Sequence, residues 1–178
     1  MRVYTLGHST RSAHEFVSIL QAYEIQLLAD IRNIPRSRRN PQFEAEALRR
    51  SLAAEGIEYV HLPGLGGLRH SRKDSVNTAW RNASFRGFAD YMQTGEFSQA
   101  IDALLERAAK QTTAIMCAEA VPWRCHRSLV ADALLARSIE VVDILSATSS
   151  RPHALTKWAE IDGTRVTYPK QDSASAES

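Results

Sequence analysis

Short apolar runs alternate with amphipathic stretches along this chain, and no other feature constrains its fold as strongly. Five such runs have the length of buried strands: residues 3–6, 26–31, 57–62, 112–117 and 139–145. Strands that alternate with helices pair in parallel, and the helices then cover both faces of the sheet. The sequence therefore predicts an α/β fold, a Rossmann-like three-layer sandwich with a mostly parallel sheet of about five strands.

The stretches between these runs carry helix signals. Ser12 is placed as an N-cap with Glu15 three residues later, at the spacing of a capping box. Further helices are predicted over residues 43–55, 85–92, 97–110 and about 124–137. Residues 164–169 are expected to add an edge strand. We expect one α/β domain over residues 1–169 and a disordered tail, rich in Ser and Ala, over residues 170–178.

Composition limits the class of protein. The length of 178 residues is that of one domain, and the net charge of +2 gives no indication of a nucleic-acid partner by itself. Two cysteines form no disulfide framework, and reduced thiols are typical of cytosolic proteins. No apolar run approaches the ~20 residues of a membrane span, and the N-terminus lacks a signal peptide's apolar core. We expect a cytoplasmic protein with no membrane partner.

Polar and reactive residues lie at the ends of the first, second and fourth predicted strands. Open α/β sheets bind ligands beyond the carboxyl ends of their strands, so these residues are the candidates for a site. They are His8, Ser9, Asp30, Arg32, Cys117, Glu119, Cys125, His126 and Arg127. If the first and fourth strands are neighbours, as we expect, these side chains surround one cleft.

Cys125 is the sharpest candidate for a nucleophile. It lies at a predicted helix start, where partial positive charge favours a thiolate, and Arg124, His126 and Arg127 adjoin it. A small buried packing residue is the alternative, and this alternative is stronger for Cys117 in its apolar strand. The segment is not a tyrosine-phosphatase loop, because arginine comes seventh rather than sixth after Cys117 and the loop has no glycine.

Two basic segments supply an anion-binding surface, although solvated loops are an equally open interpretation. Residues 32–39 contain four arginines and no acidic residue, and residues 69–86 contain five Arg or Lys residues and one acidic residue. The residues expected to hold an anion are Arg32, Arg38, Arg86, Arg127 and Ser9. Proton transfer is assigned to His8, His126 or Glu119, beside Cys125 and Cys117 as thiols.

Two other functions stay open. A non-catalytic nucleic-acid-binding module would use the arginine loops, with Trp80, Phe85 and Tyr91 available for stacking on bases. A metal-binding domain would draw on the Cys and His residues, but paired Cys-x-x-Cys spacing is absent. The sequence assigns no metal ligand, no cofactor and no oligomeric state.

Several short motifs occur together along the chain: Thr5-Leu6-Gly7-His8-Ser9-Thr10, Asp30-Ile31-Arg32 with Pro35, Ser37 and Arg38, Gly64-Leu65-Gly66-Gly67, Ser84-Phe85-Arg86-Gly87-Phe88-Ala89-Asp90-Tyr91-Met92, Met116-Cys117-Ala118-Glu119, Cys125-His126-Arg127 and Thr167-Tyr168-Pro169. In this combination the chain resembles the domain of unknown function family 488, over nearly all residues before 170. The resemblance implies a single domain and supports the choice of residues, but it implies no settled activity. The sequence thus predicts an enzyme-like, thiol-dependent domain for an anionic substrate, either phosphorylated or a nucleic acid.

Overall fold

The computed structural model describes residues 1–171. Its helices and strands, in chain order, are β1 (Arg2–Gly7), α1 (Ala13–Ala22), β2 (Leu27–Asp30), α2 (Ala45–Ala53), β3 (Glu58–His61), α3 (Ala83–Tyr91), α4 (Gly95–Ala108), β4 (Thr113–Cys117), α5 (Arg127–Ala136), β5 (Glu140–Ser146), β6 (Ser149–Pro152), β7 (Glu160–Asp162) and β8 (Arg165–Thr167). Ser12 caps α1, because its side chain accepts a hydrogen bond from the Glu15 backbone N–H as predicted.

A six-stranded sheet in the order β3-β2-β4-β1-β5-β6 forms the centre of the fold. The first five strands along the chain are parallel, and β6 is antiparallel to β5. The predicted adjacency of the first and fourth strands is confirmed, with Gly7 opposite Cys117 in the register. The chain leaves β1 towards β2 and leaves β4 towards β5, in opposite directions. The strand order therefore reverses between β1 and β4, which is where ligands bind in such sheets.

Helices cover both faces of the sheet. Successive strand residues point to opposite faces, so in β4 Ala114 and Met116 pack with the residues of α1 and α2. Ile115 points the other way and packs with the residues of α3, α4 and α5. The predicted three-layer α/β sandwich is confirmed.

Three local expectations differ from the structure. The helix predicted from Arg124 begins at Arg127, because Pro122–Arg124 forms a short 3-10 turn and Cys125 has extended backbone. Residues 164–169 do not add an edge strand to the main sheet; instead β8 pairs with β7 in a separate two-stranded sheet. The strand that extends the main sheet beyond β5 is β6, and its exposed residues have no apolar pattern in the sequence. Of the predicted tail, residues 172–178 lie outside the described residues.

Within residues 1–171, every helix is too short or too polar to cross a bilayer.

Candidate functional site

The loops that follow β1 and β4 are joined by their backbones. The His8 N–H donates to the Cys117 carbonyl and the Ser9 N–H donates to the Ala118 carbonyl, each at 2.9 Å. Gly7 is required at this junction, because a Cβ there would overlap the Glu119 carbonyl oxygen. The sheet therefore holds the Cys117 loop in a fixed position against the end of β1.

Cys117 and Cys125 are both buried, and both line a cavity of about 440 Å³. We call it the thiol cavity. Its walls also contain the rings of Phe85 and Phe88, and exposed Ile34 and Leu68 mark its rim. Their hydrogen bonds lead to different partners: Cys117 Sγ donates to the Glu119 carbonyl oxygen at 3.5 Å, and Cys125 Sγ lies 3.4 Å from His126 Nδ1. The two thiols, eight positions apart in sequence, nevertheless influence each other's ionisation.

The pKa values of the two thiols shift in opposite directions. Burial raises the pKa of Cys117, but its interaction with the Cys125 thiol and the positive charge of Arg127 outweigh burial, so the net pKa is lowered. The pKa of Cys125 is raised by its interaction with Cys117 and by burial. This direction is opposite to the one expected for Cys125 from the sequence, and Cys117 is the thiol whose pKa is lowered.

His126 is oriented as a neutral base towards Cys125. Its Nε2 lies 3.0 Å from the Ile31 carbonyl oxygen and must donate to it, which leaves Nδ1 as an acceptor 3.4 Å from Cys125 Sγ. Burial lowers the pKa of His126 to about 4, and the Arg127 charge acts in the same direction. A Cβ on Gly67 would lie 3.2 Å from Nδ1, so glycine leaves room for the imidazole.

Arg127, at the start of α5, is only 1% exposed. Its Nη2 donates a long hydrogen bond of 3.5 Å to the Ala120 carbonyl, while Nε and Nη1 have no hydrogen-bond partner among the described residues. A buried guanidinium is costly unless negative charge lies close by. Here that charge comes from Cys117 and from Asp143, and Arg127 lowers the pKa of both.

Asp143 connects Arg127 to a second buried network. Its carboxylate accepts hydrogen bonds from Thr5 at 2.7 Å and from His153 at 2.9 Å. His153 also lies 3.0 Å from Asp132, which accepts a further hydrogen bond from the Tyr168 hydroxyl at 2.8 Å. Burial lowers the pKa of His153, but the two carboxylates outweigh it and raise that pKa to about 9.

Sequence reasoning missed this network. Asp132 lies in the apolar run of α5 and Asp143 in the apolar run of β5, and a carboxylate in a buried run needs a hydrogen-bonding partner. That pattern indicates buried acids, although it does not identify His153 as the partner.

A second cavity of about 510 Å³ adjoins the first. Arg36, Arg38, Arg39 and Arg124 line it, all of them exposed and none in an ion pair within the described part of the chain. We call it the arginine groove. The groove and the thiol cavity share Arg36, Ala118, Glu119 and Arg124 as lining residues, so they are neighbouring parts of one surface.

His8 and Ser9 line the arginine groove rather than the thiol cavity. The His8 ring stacks on Phe43 at 4.3 Å, and its Nδ1 donates to the Ser9 carbonyl at 2.7 Å. Burial lowers the pKa of His8, and the charge of Arg32 adds to the effect. His8 is thus a neutral, well-anchored ring, with its Nε2 3.4 Å from Arg32.

The charge of Arg32 is already paired. Its guanidinium binds both carboxylate oxygens of Asp30, and the Tyr59 hydroxyl donates to the same carboxylate at 2.6 Å. Arg32 lines the thiol cavity, but Asp30 neutralises it, so the expectation that it holds a substrate anion does not fit its contacts. Arg86 donates to the Trp80 carbonyl and lines neither cavity.

The remaining candidates divide between the two cavities. Glu119 lines both, with an exposed side chain, and contacts Cys117 through its main chain. Arg38 lines the groove with an exposed side chain, and its role in binding an anion stays a prediction. In place of the single cleft expected from the sequence there are two adjoining cavities, and Arg127 lines neither of them.

The metal-binding alternative finds no support in this geometry. Among residues 1–171, no three His, Cys, Asp or Glu side chains are arranged to hold a metal ion.

Comparison with known proteins gives one match. The model of a family described as "Domain of unknown function DUF488" matches residues 12–134. No curated protein and no solved structure matches the chain.

Proposed function

The chain belongs to the DUF488 family, and from the geometry of its two thiols we propose that it is a thiol-dependent enzyme acting on an anionic substrate. The observation that carries this proposal is Arg127, a buried guanidinium that has two nitrogens without a hydrogen-bond partner among residues 1–171 and whose charge lowers the pKa of the buried Cys117 thiol. A packing role does not require that costly charge. Stabilising a thiolate does.

In this proposal Cys117 is the nucleophile. Its thiolate adds to an unsaturated electrophilic centre of a substrate bound in the thiol cavity, so that a bond to sulfur forms while the π electron pair of that centre moves onto the substrate. Arg127 lines neither cavity, so its role is to favour the thiolate form of Cys117 before the attack. His126 Nδ1 is placed to accept the Cys125 proton if the second thiol takes part.

Arg36 and Arg124 are the residues that would bind the anionic group of the substrate. Both are exposed, both lie where the two cavities meet, and neither forms an ion pair within residues 1–171. Arginine binds phosphate and carboxylate through two parallel hydrogen bonds, so it also orients the group that it holds.

Alkylation by iodoacetamide across a range of pH tests the proposal, with the modified residue identified by peptide mass spectrometry. Cys117 is expected to react first, with a pKa below the value of about 8.5 for a free cysteine. Cys117→Ser should abolish the fast modification, and Cys125→Ser should leave it at Cys117 but raise the pKa. Preferential modification of Cys125, or a titration at 8.5 or above, would contradict the proposal.

A non-catalytic nucleic-acid-binding module is the second candidate, and the arginine groove favours it. It gives no role to two buried free thiols or to the buried charge of Arg127. A thiol-dependent enzyme uses both features, and the groove as well.

A further inference from the structure

The two cavities differ in chemistry although they share a wall. The thiol cavity is lined by aromatic and aliphatic side chains, and Asn33, Asn82 and Ser84 add amide and hydroxyl groups. The arginine groove is lined by four arginines together with Ser and Thr hydroxyls. Among the described residues that line either cavity, Glu119 is the single acid. A ligand that fills both must join a flat, mainly apolar group to negative charge.

The thiol cavity has the size and walls for one aromatic heterocycle. At about 440 Å³ it lies within the usual range of small-ligand pockets. The half-buried Phe85 ring offers a surface for stacking, the buried Phe88 ring forms part of the wall, and Ile34 and Leu68, 59% and 73% exposed, lie at the rim. The amide groups of Asn33 and Asn82 can pair with donors and acceptors on the edge of a heterocycle.

The arginine groove offers more positive charge than one phosphate requires. Arg36, Arg38 and Arg39 follow one another in an irregular segment between two prolines, and all three are exposed. Arg124 faces the same groove from the loop after β4. One phosphate is bound by one or two arginines, so a row of this kind fits successive phosphates along a chain.

From this arrangement we infer that the substrate is a single-stranded nucleic acid, with one base in the thiol cavity and the adjoining phosphates in the arginine groove. The inference rests on the proposed function, because it identifies the substrate of that same site. Both sulfurs are buried, so a base stacked in a duplex cannot reach them. Enzymes that act on bases meet this constraint by taking single strands or by flipping the base out. A phosphopeptide has fewer, more widely spaced anions and no heterocycle.

Fluorescence anisotropy with the full chain tests the inference. The probes are a fluorescein-labelled single strand of about twelve nucleotides, as DNA and as RNA, its duplex, and a phosphoserine peptide. We expect a single strand to bind at low salt, more tightly than the duplex or the peptide. Arg38→Ala with Arg39→Ala should weaken binding by at least about tenfold and reduce the slope of log K against log salt by about 1.4. Ile34→Glu at the rim should weaken it by about tenfold, because the base loses its pocket.

The matched control is the double variant Arg50→Ala with Lys157→Ala, which replaces two exposed basic residues that line neither cavity. Its dissociation constant for the single strand should stay within about twofold of that of the unaltered protein, because the loss of two distant charges acts only weakly through salt. An equal loss in this control would overturn the inference. So would tighter binding of the duplex or the phosphopeptide, or no binding of either single strand.

Protection of Cys117 from iodoacetamide separates this inference from the proposed function. A bound single strand should slow alkylation of Cys117 at least about fivefold, because its base covers the cavity. If Cys117 titrates as a thiolate but no single strand binds or protects it, the substrate class is wrong and the thiol chemistry stands. If a single strand binds but Cys117 has an ordinary thiol pKa, the proposed enzyme is wrong and the nucleic-acid site stands.

Discussion

Replacing Arg127 by methionine tests whether this arginine tunes the thiols. Methionine has a similar length and no charge, so Arg127→Met removes the guanidinium while filling most of its volume. The arginine contributes to the lowered pKa of Cys117 through its charge, and it is 1% exposed, so solvent screens it weakly. An opposite charge within about 4–6 Å of an acid lowers its pKa by about 1–3 units, which sets the upper limit for the effect of Arg127.

The expected result is a pKa for Cys117 that is higher by about 1–3 units than in the unaltered protein. At pH 7 the alkylation rate should then fall by about tenfold or more, since only the thiolate reacts. The assay is iodoacetamide modification at a series of pH values, with the product located by mass spectrometry and the fold checked by circular dichroism. Arg127→Lys is the matched variant, because it keeps the charge and should keep most of the shift.

An unchanged alkylation pKa in Arg127→Met, with the fold intact, would refute this reasoning. It would mean that Asp143 alone neutralises the charge of Arg127, and that this charge has no effect on the pKa of Cys117. A rise of the same size in Arg127→Lys would also count against it, since the cause would then be packing rather than charge.

The other predictions concern stability. His153 has its pKa raised from 6.5 to about 9 by Asp132 and Asp143, so its stabilising effect is complete below about pH 6.5 and is lost as the pH rises through 9. In urea titrations, the difference in unfolding free energy between the unaltered protein and His153→Gln should therefore shrink by up to about 3 kcal/mol across that range, and a constant difference would contradict the assignment. Gly7→Ala should destabilise the fold by about 3 kcal/mol or more, because its Cβ would overlap the Glu119 carbonyl oxygen. Gly95→Ala is the control: its Cβ meets nothing within 4 Å, so it should be neutral or slightly stabilising. Equal melting temperatures for the two variants would refute the close approach of the loops after β1 and β4.

The layered fold could be read from local patterns. Each buried strand is an apolar run, and the amphipathic stretches between them predict helices because one face must be buried. The Ser12 cap of α1 was predictable for the same reason, since all of its partners lie within one turn. The edge strand β6 was not, because an exposed strand with no apolar face leaves no periodic signal.

The candidate site was only partly predictable. The rule that ligands lie beyond the carboxyl ends of parallel strands picked out Cys117, Cys125 and Arg127 from sequence alone. The extended backbone at Cys125 places it before the first turn of α5, whereas the sequence predicted that the helix had already begun there.

The order of apolar and reactive residues along the chain was enough to predict the strands, the helices and the reactive edge of the sheet. The folded chain was needed to show that Asp30 neutralises Arg32, that the charge of Arg127 acts on Asp143 and Cys117, and that Cys117 is the thiol whose pKa is lowered. These properties differ in the range of the interactions behind them. Secondary structure follows from neighbours a few residues apart, whereas ionisation depends on burial and on charges a few ångströms away that come from distant parts of the chain.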